Sequence, residues 1–532
     1  MTEEKKKRRI IKQIFKWIWL GLLTLLILGA LVYDAPWKVI ALLLIILAAC
    51  IILPKPFRKW FWLSVGVVVI ALIIWVFLPD RDGSWRPCTF DEELAALEAK
   101  YAIPDEENAA VIYNQLLADY DTNTVEPNFP NVEQERLTRT EPWSSLDYPE
   151  LAEWLKGHQS TIETLLEASR KEKCRFPISD PINITPQINR ISAIKHWAYL
   201  LIRTANNDLA EGRINQSIEK NLTLFQIAKH LYQQPTIIDL LVGLSIEGLA
   251  TSNLNRFVVT GDPTEAHLSI TEEALARIQH GWASDWRRIL ECGKLTEKNT
   301  VCSIIYQRNH EGKTRLSRNP TAIFKDLYPE EVPPLSFWQK KITKAYIILG
   351  WFGGIPSTPQ DLSNVIDTSF EKLYIMAEPD FDWKKEPKKF SMTPIKINFR
   401  SMTQRITDIL TTISEPTYYK VHDIYLETIA RQKGSQIIIA LRRYKNQNGR
   451  WPATLEDIKS SAPAEIFADP INGDSFVYKL TEENFTLYSK GKNKIDDNGE
   501  NDRCSDGSGA DDVLIWPSKK SFKKEEKDSN DE

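Results

Sequence analysis

The chain of 532 residues has only seven histidines and six cysteines, and none stands in a recognised metal-binding or redox motif. His-Glu-x-x-His, which would place two imidazoles on one helix face for zinc, is missing. Cys-x-x-Cys is missing too, so neither a zinc ribbon nor a thioredoxin-type site is indicated. The net charge of −4 lacks the basic surplus that favours nucleic-acid binding. No catalytic motif stands out, so catalytic residues stay unassigned.

Three apolar runs open the sequence, and each is nearly long enough to cross a membrane. They cover 17–33, 37–53 and 60–78, and a helix needs about 20 apolar residues to span a bilayer. Tryptophans mark their ends, as in the aromatic belts of membrane proteins. No ionisable side chain lies in the middle of a run, which favours an anchor over a transport path. We therefore predict a membrane anchor of three transmembrane helices in residues 1–80.

The distribution of charge predicts how this anchor is oriented. Residues 1–79 hold 11 Lys and Arg against 3 Asp and Glu, which leaves 56 against 68 in the rest of the chain. The basic residues precede the first run and fill the loop between the second and third, so the N-terminus is predicted to be cytoplasmic. The expected location is a bacterial inner membrane, with the bulk of the chain extracytoplasmic. A cleaved signal peptide, with one short apolar core, is the alternative.

Helical periodicity dominates the region that follows. A helix beginning near Asp105 and an irregular linker are expected over 85–150. Three amphipathic segments between Ile191 and Val258, broken at Glu211-Gly212-Arg213, predict a helical array over 151–260. The break is typical of a tetratricopeptide-type hairpin, and a plain bundle is the alternative because no further repeat of about 34 residues is found.

Residues 261–400 give weaker signals. One helix is expected over 275–289, followed by irregular structure where prolines and glycines accumulate. Five cysteines lie beyond the predicted spans, in a compartment that can be oxidising. A bridge between two of them, Cys292 and Cys302, is one hypothesis, and free thiols are the alternative. The five are Cys88, Cys174, Cys292, Cys302 and Cys504.

The sequence from 401 to 517 predicts a small α+β domain. A long amphipathic helix covers Ile424–Arg443, with Gly449 as its stop signal. A turn containing Asp469-Pro470 comes next. Two alternating segments, Ser475–Leu480 and Asn484–Ser489, then predict an antiparallel hairpin.

This order of elements resembles the globular end of the type II secretion major pseudopilin, over about 80 residues from Gln436 to Pro517. The matching motifs are Asn-Gly-Arg-Trp-Pro after the helix, Asp-Pro-x-x-Gly in the turn, Phe-x-Leu-Tyr-Ser-x-Gly, and an acidic glycine loop closing on Ala-Asp-Asp-Val. The type IV prepilin leader is missing, so we do not expect assembly into a pseudopilus. The wider layout resembles that of large membrane-anchored proteins of planctomycete-type bacteria, which implies no activity.

In the pseudopilin family the acidic loop resembles a calcium site, so the resemblance implies Ca²⁺ as a bound ion here. The local composition agrees, because Ca²⁺ takes 6–8 oxygen ligands from carboxylates and carbonyls. A solvated acidic loop is the alternative. The tail 518–532 is expected to be disordered. The candidate ligands are Asp496, Asp497, Asn498, Asp502, Asp506, Asp511 and Asp512.

These patterns lead to a hypothesis about function. The sequence predicts a non-enzymatic, membrane-anchored scaffold that binds protein partners outside the cytoplasm and carries a calcium-stabilised C-terminal domain. One alternative is a cell-envelope hydrolase with a carboxylate site in the middle region, since acid pairs meet only in the fold. A component associated with a secretion system is a second alternative.

Overall fold

The computed structural model describes residues 85–120, 131–178, 185–317, 358–378, 402–482, 484–502 and 509–517, apart from a few isolated positions. The predicted membrane spans, the tail, Cys504 and Asp506 lie outside these residues. Within them the chain is mostly helical, with two small antiparallel sheets. It divides into two compact units. Unit 1 comprises Met1–Leu97, Asp180–Asn183 and Leu290–Thr417, and unit 2 the remainder.

The helices of the described residues are α1 (Asp91–Lys100), α2 (Ala110–Ala118), α3 (Val132–Thr140), α4 (Pro149–Gly157), α5 (Gln159–Ser169), α6 (Thr185–Ala210), α7 (Ile214–Tyr232), α8 (Ile237–Thr260), α9 (Glu265–Arg277), α10 (Trp282–Ile305), α11 (Pro359–Tyr374) and α12 (Met402–Asn448). The strands are β1 (Arg86–Pro87), β2 (Tyr306–Arg308), β3 (Thr314–Leu316), β4 (Val477–Leu480), β5 (Phe485–Ser489) and β6 (Val513–Trp516).

The three predicted helices of the array are present in unit 2 as α6, α7 and α8, which pack against one another. The predicted break between the first two is confirmed. Gly212 has φ +76°, a backbone conformation that favours glycine. The amide of Arg213 donates to the carbonyl of Asp208 at 2.7 Å and closes the turn.

Buried polar pairs join the helices of the array in addition to apolar packing. Arg190 of α6 forms an ion pair with Asp239 of α8 at 2.6 Å, and both side chains are buried. Asn253 of α8 accepts a hydrogen bond from Asn221 of α7 at 3.0 Å and donates one to Asn206 of α6. Because buried polar groups are costly unless paired, these contacts specify which helix faces meet.

Among the described residues, α8 is the helix long and apolar enough to cross a membrane. However, 56% of its most apolar window is buried within the protein. Glu247, on the same helix, is fully buried and accepts a hydrogen bond from Tyr232. A helix in the core of a folded domain can have the same length and composition, so α8 is weak evidence for membrane association.

The region around 105–149 is more ordered than its sequence suggested. The predicted helix begins at Ala110 rather than near Asp105. Asn108 explains the shift, because its side-chain oxygen accepts hydrogen bonds from the amides of Ala110 and Arg175 and holds the preceding backbone in a bridge. The expected linker contains α3, and the indole of Trp143 donates to the carbonyl of Arg203 on α6 at 3.1 Å.

The helix expected over 275–289 is in fact two helices. α9 ends at Arg277 and α10 begins at Trp282, so the chain turns between them. The turn is held by Gln432 of α12, whose side-chain amide donates to the carbonyls of Leu275 and Ile278 at 2.6 and 2.8 Å. A contact this distant in sequence leaves no local signal.

The hypothesis of a Cys292–Cys302 disulfide is wrong. Both residues lie in α10, ten positions apart, so their Cα atoms are about 15 Å apart along the helix axis. A disulfide requires Cα atoms within about 7 Å. In this structure Cys88, Cys174, Cys292 and Cys302 are all buried and are not joined in disulfides.

The C-terminal part of unit 2 contains the predicted helix, turn and hairpin. α12 ends at Asn448, and Gly449 with φ +73° follows it. β4 and β5 pair in antiparallel register, with Val477 opposite Tyr488. A third strand, β6, was not predicted; it pairs with β5, with Val513 opposite Ser489. The sheet order is therefore β4-β5-β6.

The other sheet lies in unit 1. β2 and β3 form a hairpin, and β1 pairs with the outer side of β2, with Arg86 opposite Arg308. Lys298 of α10 is buried between the carboxylates of Glu93 and Asp367, each at 2.9 Å. These contacts hold α1 and α11 against the second half of α10.

Candidate metal site

The acidic loop between β5 and β6 brings three carboxylates together. One oxygen from each of Asp497, Asp511 and Asp512 lies within 4.8 Å of the others. Asp511 and Asp512 are buried, and Asp497 is half-buried. The loop folds back onto the start of β6 to form this trio.

Asp512 is the most enclosed member of the trio, with no exposed surface. Its Oδ2 accepts hydrogen bonds from the amides of Asp497 and Gly499, at 3.0 and 2.8 Å. Its Oδ1 is buried and has no hydrogen-bond partner among the described residues. Burial is the main cause that raises the pKa of the Asp512 carboxyl, and the two amides lower it by less. A cation would supply the partner that the second oxygen lacks.

Backbone geometry at the start of the loop positions Asp511. Its carboxylate accepts hydrogen bonds from the amides of Lys492 and Asn493, at 3.0 and 3.3 Å. Gly491, just before them, has φ +66°, and a Cβ there would overlap the backbone and carboxylate of Asp511. Glycine is therefore required where the loop meets the acid.

The trio is compact enough for one ion to contact all three carboxylates. Ca²⁺ binds oxygen at about 2.4 Å, and the three oxygens lie within 4.8 Å of one another. Carbonyls and water commonly complete such a site. The neighbouring lysines Lys479, Lys492 and Lys494 form ion pairs with acids outside the trio. The residues present thus fit a hard divalent cation.

Two of the predicted ligands are held away from the trio by hydrogen bonds. Asp496 is exposed and accepts a hydrogen bond from the hydroxyl of Tyr488 at 2.6 Å. This bond is the main cause that holds the pKa of Asp496 below its usual value. The side-chain oxygen of Asn498 accepts from the ammonium of Lys479 at 2.7 Å. Neither residue belongs to the trio, so its role as a ligand stays a prediction.

The other two predicted ligands lie where the loop is described only in part. Asp502 accepts a hydrogen bond from the amide of Ala510 at 2.7 Å, and its own amide donates to the carbonyl of the same residue. These contacts close the neck of the loop. Asp506 lies outside the described residues, so its role as a ligand stays a prediction.

Asp469 is a buried acid beside the loop that the sequence reasoning did not include. It is 1% exposed, and burial is the main cause that raises the pKa of its carboxyl. It starts the Asp-Pro turn, and Asn472 in that turn donates to the carbonyl of Gly491 at 3.0 Å. In the sequence, the Asp-Pro-x-x-Gly motif was the pattern that could have indicated this turn and its contact with the loop.

The strand that carries the trio is attached to α12. The guanidinium of Arg431 donates to the carbonyl of Leu514 at 2.7 Å. Gly434 lies directly under Ile515, and a Cβ on it would come within 2.5 Å of the Ile515 side chain. Further along α12, the guanidinium of Arg442 donates to the carbonyl of Val259 on α8, a helix of the array, at 3.4 Å. One helix thus connects the acidic loop to the array.

A separate group of ionisable side chains lies in the core of the array. Glu247 accepts a hydrogen bond from Tyr232 at 2.6 Å and contacts the imidazole of His280 at 3.2 Å. All three are fully buried or nearly so. A cavity of about 400 Å³ lies elsewhere, between α2, α5 and α6, and is lined by Asp119 and His158 among others. Neither Glu247 nor His280 is among the residues that line that cavity.

Comparisons with known proteins add no assignment to this geometry. No family model, curated protein or solved structure matches the chain. The pseudopilin resemblance therefore stays a prediction.

Proposed function

We propose that the protein is a membrane-anchored binding protein whose C-terminal domain takes up Ca²⁺. One observation carries the proposal: the buried Oδ1 of Asp512 has no hydrogen-bond partner in the described residues and stands beside two further carboxylates. An isolated buried charge is expensive, and a divalent cation offsets both its desolvation and the repulsion within the trio.

The ion has a structural role in this proposal. Asp497 lies in the middle of the loop, whereas Asp511 and Asp512 lie next to β6. A cation held by all three carboxylates joins the loop to the sheet. It thereby also stabilises the packing of β6 against α12, which Arg431 holds by its hydrogen bond to Leu514. When bound, Ca²⁺ supplies only charge and coordination, without participating in a reaction.

The helical array supplies the binding surface, and the apolar N-terminal runs supply the anchor. Support for the first comes from the buried polar pairs that join α6, α7 and α8 into one packed array, whose outer faces can present a surface. Support for the second comes from the length and flanking charges of the runs in residues 1–80.

Thermal unfolding of the full-length protein in detergent tests the ion. Scans are recorded with Ca²⁺, with Mg²⁺ and with a chelator. A ligand that binds only the folded state adds RT ln(1 + [L]/Kd), about 2.7 kcal/mol at 100 times Kd. We expect a chelator-reversible stabilisation by Ca²⁺ that exceeds the effect of Mg²⁺, which prefers a smaller octahedral site.

The scaffold role has its own test. Proteins crosslinked to the chain in native membranes are recovered with Ca²⁺ and with chelator, from wild type and from Asp512→Asn. Partners that are recovered reproducibly and depend on Ca²⁺ and Asp512 would support the role. The absence of any reproducible partner would contradict it, whatever the thermal scans show.

A further inference from the structure

Two buried cysteines of unit 1 lie on segments that pack side by side. Cys88 directly follows β1, and Cys302 lies in the last turns of α10. Both thiols are free and neither residue has exposed surface. They are 214 positions apart in the chain, so no spacing in the sequence relates them.

Hydrogen bonds on both sides of Cys302 define how closely these segments approach. The amide of Cys88 donates to the carbonyl of Tyr306 at 3.1 Å, which continues the β1–β2 pairing. The amide of Phe90 donates to the side chain of Asn299 at 2.7 Å. Cys302 lies between Asn299 and Tyr306, three positions after one and four before the other. Asn299 and Cys302 lie on one face of α10, and Tyr306 begins β2 directly after the helix, so the two contacts bring the segment of Cys88 alongside the end of α10 that carries Cys302.

The electrostatics of the two thiols agree with this proximity. Burial raises the pKa of both, to about 12 for Cys302. After burial, the largest influence on Cys302 is the charge of Cys88, which raises its pKa further. Burial therefore disfavours the thiolate form of both cysteines in the folded protein.

We propose that Cys88 and Cys302 form an intrachain disulfide when the protein folds in the presence of a disulfide oxidant. Each thiol loses its proton as one S–S bond forms. The two electrons reduce the S–S bond of the oxidant, such as oxidised glutathione, to two thiols. The bond ties β1, and with it the start of the described chain, to α10.

Of the described residues, the other two cysteines, Cys174 and Cys292, do not offer this geometry. Cys292 lies on α10 ten positions before Cys302, about 15 Å away along the axis. Cys174 belongs to the other unit, where the backbone of its segment is held by hydrogen bonds to Gln233 and Gln234. Among the described cysteines, Cys88 and Cys302 are therefore the pair that we expect a disulfide to link.

The test uses the full-length chain, synthesised in a cell-free system with detergent micelles and a glutathione redox buffer. Free thiols are then blocked with N-ethylmaleimide in denaturant, and the digest is mapped by mass spectrometry. We expect a linked peptide pair containing Cys88 and Cys302. Because both sulfurs are buried, we also expect the link to resist reductant in the folded protein and to be lost after unfolding.

Variants separate this pair from chance oxidation. Cys292→Ser should leave the linked peptide unchanged, whereas Cys302→Ser should leave Cys88 either blocked by maleimide or joined to glutathione. The proposal is overturned if both cysteines carry maleimide in a chain with native helical circular dichroism. It is equally overturned if either is linked mainly to another cysteine.

Discussion

Replacing Asp512 by asparagine should change stability in opposite directions with and without calcium. Asparagine keeps an oxygen that can accept from the amides of Asp497 and Gly499 and removes the buried charge. Burial raises the pKa of the Asp512 carboxyl, so without a cation the neutral side chain is favoured. In chelator, Asp512→Asn should therefore be at least as stable as wild type.

The magnitudes follow from the contacts of this side chain. In saturating calcium, the variant should lose the stabilisation gained by wild type, about 2.7 kcal/mol at 100 times Kd. Asp512→Ala differs, because it leaves two amide donors without an acceptor. Each buried donor left unpaired costs about 1–3 kcal/mol. Water reaching the loop reduces this cost, so we expect alanine to destabilise the chelated protein by about 2–4 kcal/mol.

Calorimetry and hydrogen exchange measure these differences on the full-length protein. Exchange is followed in peptides covering 491–502, where the amides of Asp497 and Gly499 report directly on the loop. Glu482→Gln is the matched control, because it removes one exposed acid from the same domain outside the trio. This control should keep the full response to calcium.

Two results would refute the reasoning. If Asp512→Asn keeps the wild-type response to calcium, the buried oxygen is not a ligand. If asparagine destabilises the chelated protein as strongly as alanine, the charge itself is needed for the hydrogen bonds, and the argument from burial is wrong.

Three further predictions concern unit 2, which also contains Asp512. Gly434→Ala should cost about 1–3 kcal/mol by overpacking against Ile515, measured by urea denaturation; an unchanged midpoint would contradict it. In chelator, stability should depend on pH through Asp512, because the pKa of its carboxyl is raised in the folded state. The stabilisation is complete below the unfolded-state pKa and is lost as pH rises through the folded-state pKa, so the melting temperature should fall over that range. Calcium should remove the fall, and a melting temperature that does not change with pH in chelator would refute this prediction. Tyr232→Phe should cost about 1–3 kcal/mol by leaving the Oε2 of Glu247 without the hydroxyl donor, and equal unfolding free energies would contradict it.

The sequence alone determined the local elements of unit 2. Apolar residues at helical spacing predicted α6, α7 and α8, because one buried face per helix imposes that period. Gly212 marked the end of α6 and Gly449 the end of α12, since both glycines adopt positive φ. Alternation predicted β4 and β5. The cation site at the acidic loop, implied by the pseudopilin resemblance and compatible with the local composition, stays a prediction.

Only the tertiary structure decided which residues meet. Asp497 joins Asp511 and Asp512 because β6 pairs with β5, whereas Asp496, next in sequence, is drawn to Tyr488 instead. The same applies to cysteine, where the sequence suggested a pair that one helix holds apart. Periodicity records which face of an element is buried. Contacts between distant residues depend on the register and packing of whole elements, which no local pattern records.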